Sequence, residues 1–569
     1  MRYAQHRGNS GKGKECFDFP DEVSATAGLR VLPGDGDPDE GGRTGSSGTF
    51  LMCPLPSKKP ASLIAENVCT PFCRLVDRSF CIKKQGKVPM EAMTVLVLGA
   101  LLAVLGFIWA VACCVHALLH KKDSQSALAW VACIMLLPFL GSLAYSLFGN
   151  SRADSLAGRL LAEAARRQNS SDRVLDSRLK AEENADLPED WEAARVGRSI
   201  TGRSMLRGNR IELLKNGEEA YPAMLEAIHA AKRMVCLSTY IFRGVKTGNA
   251  FAEALAGAAE RGVDVRLIVD GLGGMIYSLR KPWRRLSDRG VKVRLFLPPR
   301  LWPPMFAVNL RTHRKVLACD GEVAFTGGMN IGDHHLVSLP GRGRVQDIHF
   351  RCTGPVAARL QEAFLMDWAF VAKIPTPPSV QEAEETGNSR CRLVFDGLGR
   401  DREGIHELLC GVISAARRRV ILFTPYFIPP RELAGALSSA VRRGVKVDVI
   451  LPAKNNLFYV HHASRRFQER LVASGVRIWY QPPPFAHTKL LLVDDWYALF
   501  GSANLDPRSL FLNFELNVEV ADPVFQKKLV AYAEEVRLRS RRMLPADYAK
   551  LSYPSRLFDA LCWLLSPYI

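Results

Sequence analysis

Acidic residues are in short supply in this chain of 569 residues: 57 Asp and Glu stand against 76 Lys and Arg, a formal net charge of +19. That imbalance disfavours a basic partner and points to polyanions: nucleic acid, anionic lipid or a phosphorylated substrate. Paired cysteines are also missing. The 14 cysteines are scattered, and Cys69 with Cys73, or the adjacent Cys113 and Cys114, lack the second pair that a structural zinc site needs. Most read as small buried apolar residues or reduced thiols. There is no P-loop, so no nucleotide is expected, and no carboxylate cluster of the kind that holds a divalent cation.

Charge is wholly absent from residues 93–120, "MTVLVLGALLAVLGFIWAVACCVHALLH". A run of that length suffices to cross a bilayer, which takes about 20 apolar residues, and it exceeds the h-region of a cleaved signal peptide. A second apolar run, 127–149, follows a short polar link. Together they predict an N-terminal two-helix transmembrane hairpin over 90–150. Lys83, Lys84 and Lys87 before it, and Arg152, Arg159, Arg166 and Arg167 after it, outweigh Lys121 and Lys122 in the turn. The positive-inside rule then favours a multi-pass protein with the body of the chain on the cytoplasmic face. Residues 1–89 are rich in Gly, Pro, Ser and charge without a sustained period and read as a disordered extension. Met90 and Met93 are plausible alternative starts.

Residues 151–210 read as a polar connector. Beyond them the chain repeats itself. "AAKRMVCLSTYIF" (230–242) resembles "AARRRVILFTPYFI" (415–428), and "ALAGAAERGVDVRLIVD" (254–270) resembles "ALSSAVRRGVKVDVILP" (436–452). Each copy reads helix, strand, helix, strand, with near-continuous apolar strands suited to a sheet covered by helices. The expected fold is therefore α/β, with two pseudo-twofold related domains. The first runs over 211–375 and the second over 391–545, joined by a Pro-rich linker at 376–390 and followed by an amphipathic C-terminal segment, 546–569.

The repeat extends to a motif. "HRKVLACDGEVAFTGGMN" carries His313, Lys315, Asp320, Gly328 and Asn330; "HTKLLLVDDWYALFGSAN" carries His487, Lys489, Asp494, Ser502 and Asn504. Residues two apart in an extended segment share a face, so each His projects with its Lys. Lys is a point charge for phosphate oxygens, and the Asn amide donates one more bond. Two such half-sites facing each other place two Lys and two Asn around one phosphate, with a histidine on either side. That arrangement suits in-line displacement at a phosphodiester, one imidazole attacking phosphorus while the other protonates the leaving alcohol. Paired lysines repel a divalent cation, so neither metal nor cofactor is expected. A neutral imidazole needs an acceptor on its other nitrogen. Asp347, in "QDIHFRCTGP", is expected to orient His313, and Glu515, in "NFELNVEV", to orient His487. Asp320 and Asp494 complete the motif and read as structural, tying down a turn behind the strand.

On these residues the chain resembles the phospholipase D superfamily, named for its duplicated H-x-K-x4-D motif. "LPFLGSLAYSLFG", "GNRIELLKNGEEAYPAML", "NLRTHRK", "TGGMNIGD", "GSANLDPRSLFLNFE" and "RLFDALCWLLSPYI" make it similar to the membrane-anchored bacterial cardiolipin synthases over about residues 94–569. The resemblance implies two phosphatidylglycerols becoming cardiolipin and glycerol through a phosphohistidine, with His313 as nucleophile and His487 as acid and then base. The implied partners are phosphatidylglycerol, cardiolipin and an anionic lipid surface. Rival readings are a lipid-hydrolysing phospholipase D, a nuclease of the same superfamily, or a membrane scaffold. The apolar hairpin and the lack of an aromatic single-strand platform argue against nucleic acid. Leu301, Trp302, Met305 and Phe306 invite an interfacial role, and residues 555–569 suit a helix lying on the membrane or docked on the protein.

Overall fold

The computed structural model describes residues 90–121, 124–149, 192–244, 246–278, 281–299, 310–374, 380–381, 383–397, 403–564 and 566. The expected disordered extension, most of the connector, the basic residues flanking the hairpin and the segment holding Leu301, Trp302, Met305 and Phe306 lie outside them.

The first apolar run is one helix, α1 (Met90–His120), and it is the one described helix long and apolar enough to cross a membrane. The second run is not a continuous span. It breaks into α2 (Ser124–Leu136) and α3 (Pro138–Ala144), ending in a π turn at Tyr145–Gly149. The physical reason is Pro138. Its ring nitrogen has no hydrogen to continue the ladder, so the helix restarts there with Pro in its first turn. The pieces still fold back, with Ala110, Cys113 and Ala117 of α1 packed against Ile134 and Tyr145.

The body begins with α4 (Glu192–Thr201), inside the stretch read as connector. Ala193 is part of the core of the second repeat. The first repeat follows: β1 (Leu206–Lys215), α5 (Asn216–Ala230), β2 (Met234–Thr239), α6 (Lys246–Glu260), β3 (Asp264–Asp270), β4 (Lys292–Phe296), β5 (Val316–Cys319), β6 (Val323–Gly327), β7 (Val345–Gln346), β8 (Ile348–Thr353) and α7 (Pro355–Ala372). The second repeats the order: β9 (Ser389–Asp396), α8 (Gly404–Ala415), β10 (Arg419–Phe423), α9 (Arg431–Arg442), β11 (Lys446–Pro452), α10 (Phe458–Ala473), β12 (Arg477–Gln481), β13 (Phe485–Ala486), β14 (Leu490–Val493), β15 (Tyr497–Gly501), β16 (Glu515–Ala521) and α11 (Pro523–Arg539). A short β17 (Arg541–Met543) and α12 (Tyr553–Leu564) close the chain.

The sheet of 15 strands runs β17-β12-β11-β10-β14-β15-β16-β9-β1-β8-β6-β5-β2-β3-β4. Read outward from the β9–β1 seam, the two halves have the same order. In each, three strands are parallel (β2-β3-β4, β10-β11-β12) and the rest antiparallel. The duplicated "RGV" turns show the equivalence in detail. Gly262 and Gly444 end α6 and α9 with φ of +88° and +90°, and the following valine N–H reaches back to Ala258 and Ala440 at 3.1 and 3.0 Å. Only glycine adopts that left-handed C′ position without strain.

Two cores belong one to each repeat. A third draws on both, with the rings of Phe350 and Phe500 stacked at 3.6 Å. The halves are thus fused through buried apolar surface. They also exchange backbone: β7 pairs with β13, and Thr312 bridges Phe514.

Candidate active site

The two motif segments enter the seam from opposite halves. His313 lies just before β5 and His487 just before β14. As expected for extended chain, His313 and Lys315 project together, and Arg314 between them points the other way, into an ion pair with buried Asp367 at 2.7 Å. Arg314 also donates to the carbonyls of Glu515 and Asp396 at 3.0 Å each, tying the motif to both halves.

The orienting carboxylates are exchanged relative to the sequence expectation. His313 Nδ1 lies 3.0 Å from both carboxylate oxygens of Glu515, and His487 Nδ1 lies 3.0 Å from Asp347 Oδ2. Each histidine therefore uses the carboxylate of the opposite repeat. The backbone explains it. The His313 N–H donates to the Phe514 carbonyl at 2.9 Å and the His487 N–H to the Gln346 carbonyl at 2.8 Å. Each histidine segment docks on the residue directly before the other repeat's carboxylate, out of reach of its own.

Lys315 and Lys489 are buried, and each ammonium donates to the carbonyl of its own histidine at 2.6 Å. Lys489 Nζ also lies 2.9 and 3.0 Å from the two ring nitrogens of His487. Burial, opposed in part by Glu515, brings Lys315 down to about 7. Burial, opposed by Asp347 and Glu515, brings Lys489 down to about 8. Burial holds His313 below its ordinary value, with Glu515 pulling the other way. Burial and then Lys489 and Lys315 push His487 far lower. The carboxylates diverge. Burial raises Asp347 to about 7. Burial would raise Glu515 too, but His313, Lys315 and the Ser502 hydroxyl outweigh it and hold that group below its usual range.

The asparagines fall beside these groups in different states. Asn330 accepts the Ile241 N–H at 3.1 Å through Oδ1, which fixes the amide and turns its NH2 end the other way. Its own N–H donates to His335 Nε2 at 3.2 Å. Asn504 is buried and donates to Asp506, the carboxylate that caps the turn at Pro507–Phe511. Asp320 and Asp494 stand behind the sheet. Asp320 accepts the N–H groups of Lys232, Arg233 and Met234 at 2.8 Å each, and Asp494 those of Arg417, Arg418 and Arg419. Both hold a left-handed backbone, φ 58° and 52°. They clamp the hairpin bearing the motif to the helix-to-strand turn before β2 and β10 and do not face the histidines.

Several contacts of the site were not foreseen in the sequence. Tyr240 and Tyr426 stand edge-on to His313 and His487, ring centroids 5.6 and 6.3 Å away; their signal was the aligned tyrosine in "STYIF" and "TPYFI". Ser502 and Asn513 donate to Glu515, and Asn216 accepts the Asp347 N–H at 3.0 Å. Gly328 is set by its neighbour: a Cβ there would lie 2.3 Å from Asp347 Oδ2. No local pattern could reveal these contacts.

The residues 224–368 and 409–537 match the family model described as cardiolipin synthase, PLD-like domain, and 107–150 match the phospholipase D-nuclease N-terminal model. Among curated proteins the chain is 33% identical over 435 residues to cardiolipin synthase A of Pseudomonas syringae pv. syringae, covering 75% of this chain and 89% of that protein. It is 32% identical over 480 residues to cardiolipin synthase A of Pseudomonas aeruginosa, covering 82% and 94%. Among solved structures, the phosphatidylserine synthase of Haemophilus influenzae superposes with a TM-score of 0.52 at 16% identity, covering 66% of this chain and 100% of that one. That likeness concerns the fold.

Proposed function

This chain belongs to the cardiolipin synthase family of the phospholipase D superfamily, and from that premise we propose how its residues transfer a phosphatidyl group from one phosphatidylglycerol to another. The observation that carries the reading is the crossed pairing of two buried histidines with two carboxylates around two buried lysines. His313, its Nδ1–H held by Glu515, presents Nε2 to the phosphorus of the first phosphatidylglycerol. The N–P bond forms as the P–O bond to glycerol breaks, and His487 supplies the proton that leaves with glycerol. The second phosphatidylglycerol then gives its terminal hydroxyl proton to His487 and attacks the phosphohistidine, releasing cardiolipin and restoring His313. Lys315, Lys489, Asn330 and Asn504 hold the phosphate oxygens, where a charge-assisted bond is worth about twice a neutral one.

The unequal carboxylates support this division of labour. Glu515 stays anionic and makes His313 the stronger base, hence the better nucleophile. Asp347, raised to about 7, supports a protonated His487 less, which makes it the readier acid. Exchanging one phosphodiester for another is nearly neutral in energy, so no nucleotide is called for, and the paired lysines take the electrostatic role of a metal. The protein acts as a membrane enzyme of the bacterial inner membrane. In this proposal α1 and the broken second segment form a multi-pass hairpin over 90–150, with catalytic domains 211–375 and 391–545 on the cytoplasmic face and 376–390 as their linker.

The test is to incubate the membrane-embedded protein with phosphatidylglycerol alone and resolve the products. Cardiolipin and glycerol in equal amounts are expected. Phosphatidic acid instead would make the protein a hydrolase, and unchanged lipid would overturn the reading. Chelator should leave the rate unaltered; loss restored by one metal would contradict the two-histidine chemistry.

A further inference from the structure

The motif residues account for the chemistry but not for how a buried site reaches a substrate whose acyl chains lie in a bilayer. Two loops at equivalent places in the repeats bear on this. After β3 the chain exposes Ile276 (59%) and Tyr277, and after β11 it exposes Phe458 (64%). Both loops adjoin the histidines. The Tyr277 ring lies 6.3 Å from that of Tyr240, which stands against His313. Asn456, two residues before Phe458, accepts a hydrogen bond from the Tyr426 hydroxyl at 3.0 Å, and Tyr426 stands against His487. Each apolar tip is followed or preceded by exposed cations: Arg284 and Arg285 after the first, Lys454 before the second.

The C-terminal helix continues this surface. The inner face of α12 is docked on α10, which begins at Phe458. Asp559 is buried, 2.6 Å from His462 Nδ1 and 3.5 Å from Arg465, and Cys562 joins a small core with Ile428, Val460 and Ala463. The outer face carries Leu557, Leu561 (53% exposed) and Leu564 at helical spacing. A buried carboxylate paired to a histidine fixes the helix's rotation, so its apolar stripe is held outward. Their outward placement along one face leaves a contiguous apolar stripe open to an apolar partner.

We propose that Ile276, Tyr277, Phe458 and the outer face of α12 form an interfacial docking face that inserts among the headgroups of an anionic bilayer and sets the mouth of the active site against it. The inference rests on the lipid substrate class and goes beyond the chemistry assigned to the site. The occupant follows from the apolar tips that adjoin both histidines and from the exposed cations near them in sequence. Apolar residues that insert and basic residues that meet anionic headgroups are the two components of interfacial binding.

The test uses the full chain in liposomes of phosphatidylglycerol and phosphatidylethanolamine. In a cysteine-reduced background, an environment-sensitive fluorophore is placed at Ile276→Cys, Phe458→Cys or Leu561→Cys, with Glu253→Cys on an exposed surface as control. The three labels should shift to the blue and be quenched at least twofold more than the control by lipids spin-labelled just below the headgroup. Labels that behave like the control would overturn the proposal. So would labels that reach an apolar environment in detergent alone as protein concentration rises, which would make the face a contact between copies of this chain. A kinetic arm separates this from the assigned activity. The triple variant Ile276→Ser, Phe458→Ser, Leu561→Ser should need about tenfold more phosphatidylglycerol in the surface for half-maximal rate, with turnover of a dispersed short-chain phosphatidylglycerol unchanged. Equal loss on both substrates would overturn docking, and absence of cardiolipin altogether would leave the fluorescence result to decide.

Discussion

The two half-sites share a backbone and differ in what surrounds their carboxylates. Glu515 accepts from His313, from the Ser502 hydroxyl and from the Asn513 amide. Asp347 accepts from His487 and from the Ile348 N–H; the place of the serine is taken by Gly328, because the shorter Asp side chain occupies that space. More donors hold Glu515 ionised, and fewer let burial raise Asp347. A duplication that preserves the frame can thus diverge chemically through one residue beside each carboxylate. That divergence suits a reaction in which one imidazole attacks and the other trades protons.

The sharpest way to break this comparison is to remove one histidine at a time. His313→Ala should cost about 10^4-fold or more and form no phosphatidyl-enzyme. His487→Ala should lose steady-state turnover comparably, yet still accumulate phosphatidyl-enzyme from a lipid with a good leaving group, since the acid is then less needed. Rapid quench with radiolabelled lipid and peptide mapping checks it; label on the peptide containing His487 would reverse the roles.

Next come the carboxylates. Glu515→Gln removes a full charge from His313 and should cost about 10^3–10^4-fold. Asp347→Asn replaces a group already raised to about 7 and should cost about 10–10^2-fold. Equal losses in kcat would erase the asymmetry.

The lysines give a pH signature. They hold phosphate only when protonated, and burial has brought them to about 7 and about 8. The kcat/KM profile, which reports the free enzyme, should therefore fall as pH rises, first as His487 loses the proton it must donate and further through the lysine window. His313 attacks only when neutral, and burial holds it below its ordinary value, so the acid limb should lie below that of a free imidazole. Lys315→Arg keeps its charge and should move the alkaline limb upward while lowering the maximum. A profile flat from neutral to alkaline pH would contradict the buried, depressed lysines.

The smallest effect on chemistry is expected behind the sheet. Asp320→Ala and Asp494→Ala each strand backbone N–H groups and should destabilise the fold by about 1–3 kcal/mol. Asp494, which is buried, should give the larger fall in Tm, and the folded fraction should keep its kcat. A selective loss of kcat at unchanged Tm would put these residues in the chemistry.

Much of the site was legible because its information is local. Two residues apart on an extended strand share a face, so the joint projection of His313 with Lys315, and of His487 with Lys489, followed from spacing alone. The twofold α/β frame followed from the repeated apolar strands, whereas the motif grouped Asp320 and Asp494 with the catalytic residues and only the structure shows the backbone N–H groups they hold. The second apolar run is less continuous than its composition suggests, for a local reason: Pro138 interrupts the helix although the hydropathy runs on. The carboxylate pairing was misassigned for another reason. Asp347 and Glu515 each lie in the same repeat as a histidine, and nearness along the chain favoured that partner. Only the tertiary structure decided that each motif segment crosses the seam and docks by its own N–H on the opposite repeat. It also decided that a tyrosine stands beside each histidine and that Gly328 must lack a side chain. The crossed pairing joins segments more than a hundred residues apart, set by a core shared between the halves, and the tyrosine and Gly328 contacts join segments brought together only by the packed strands, so no periodicity within either repeat encodes them.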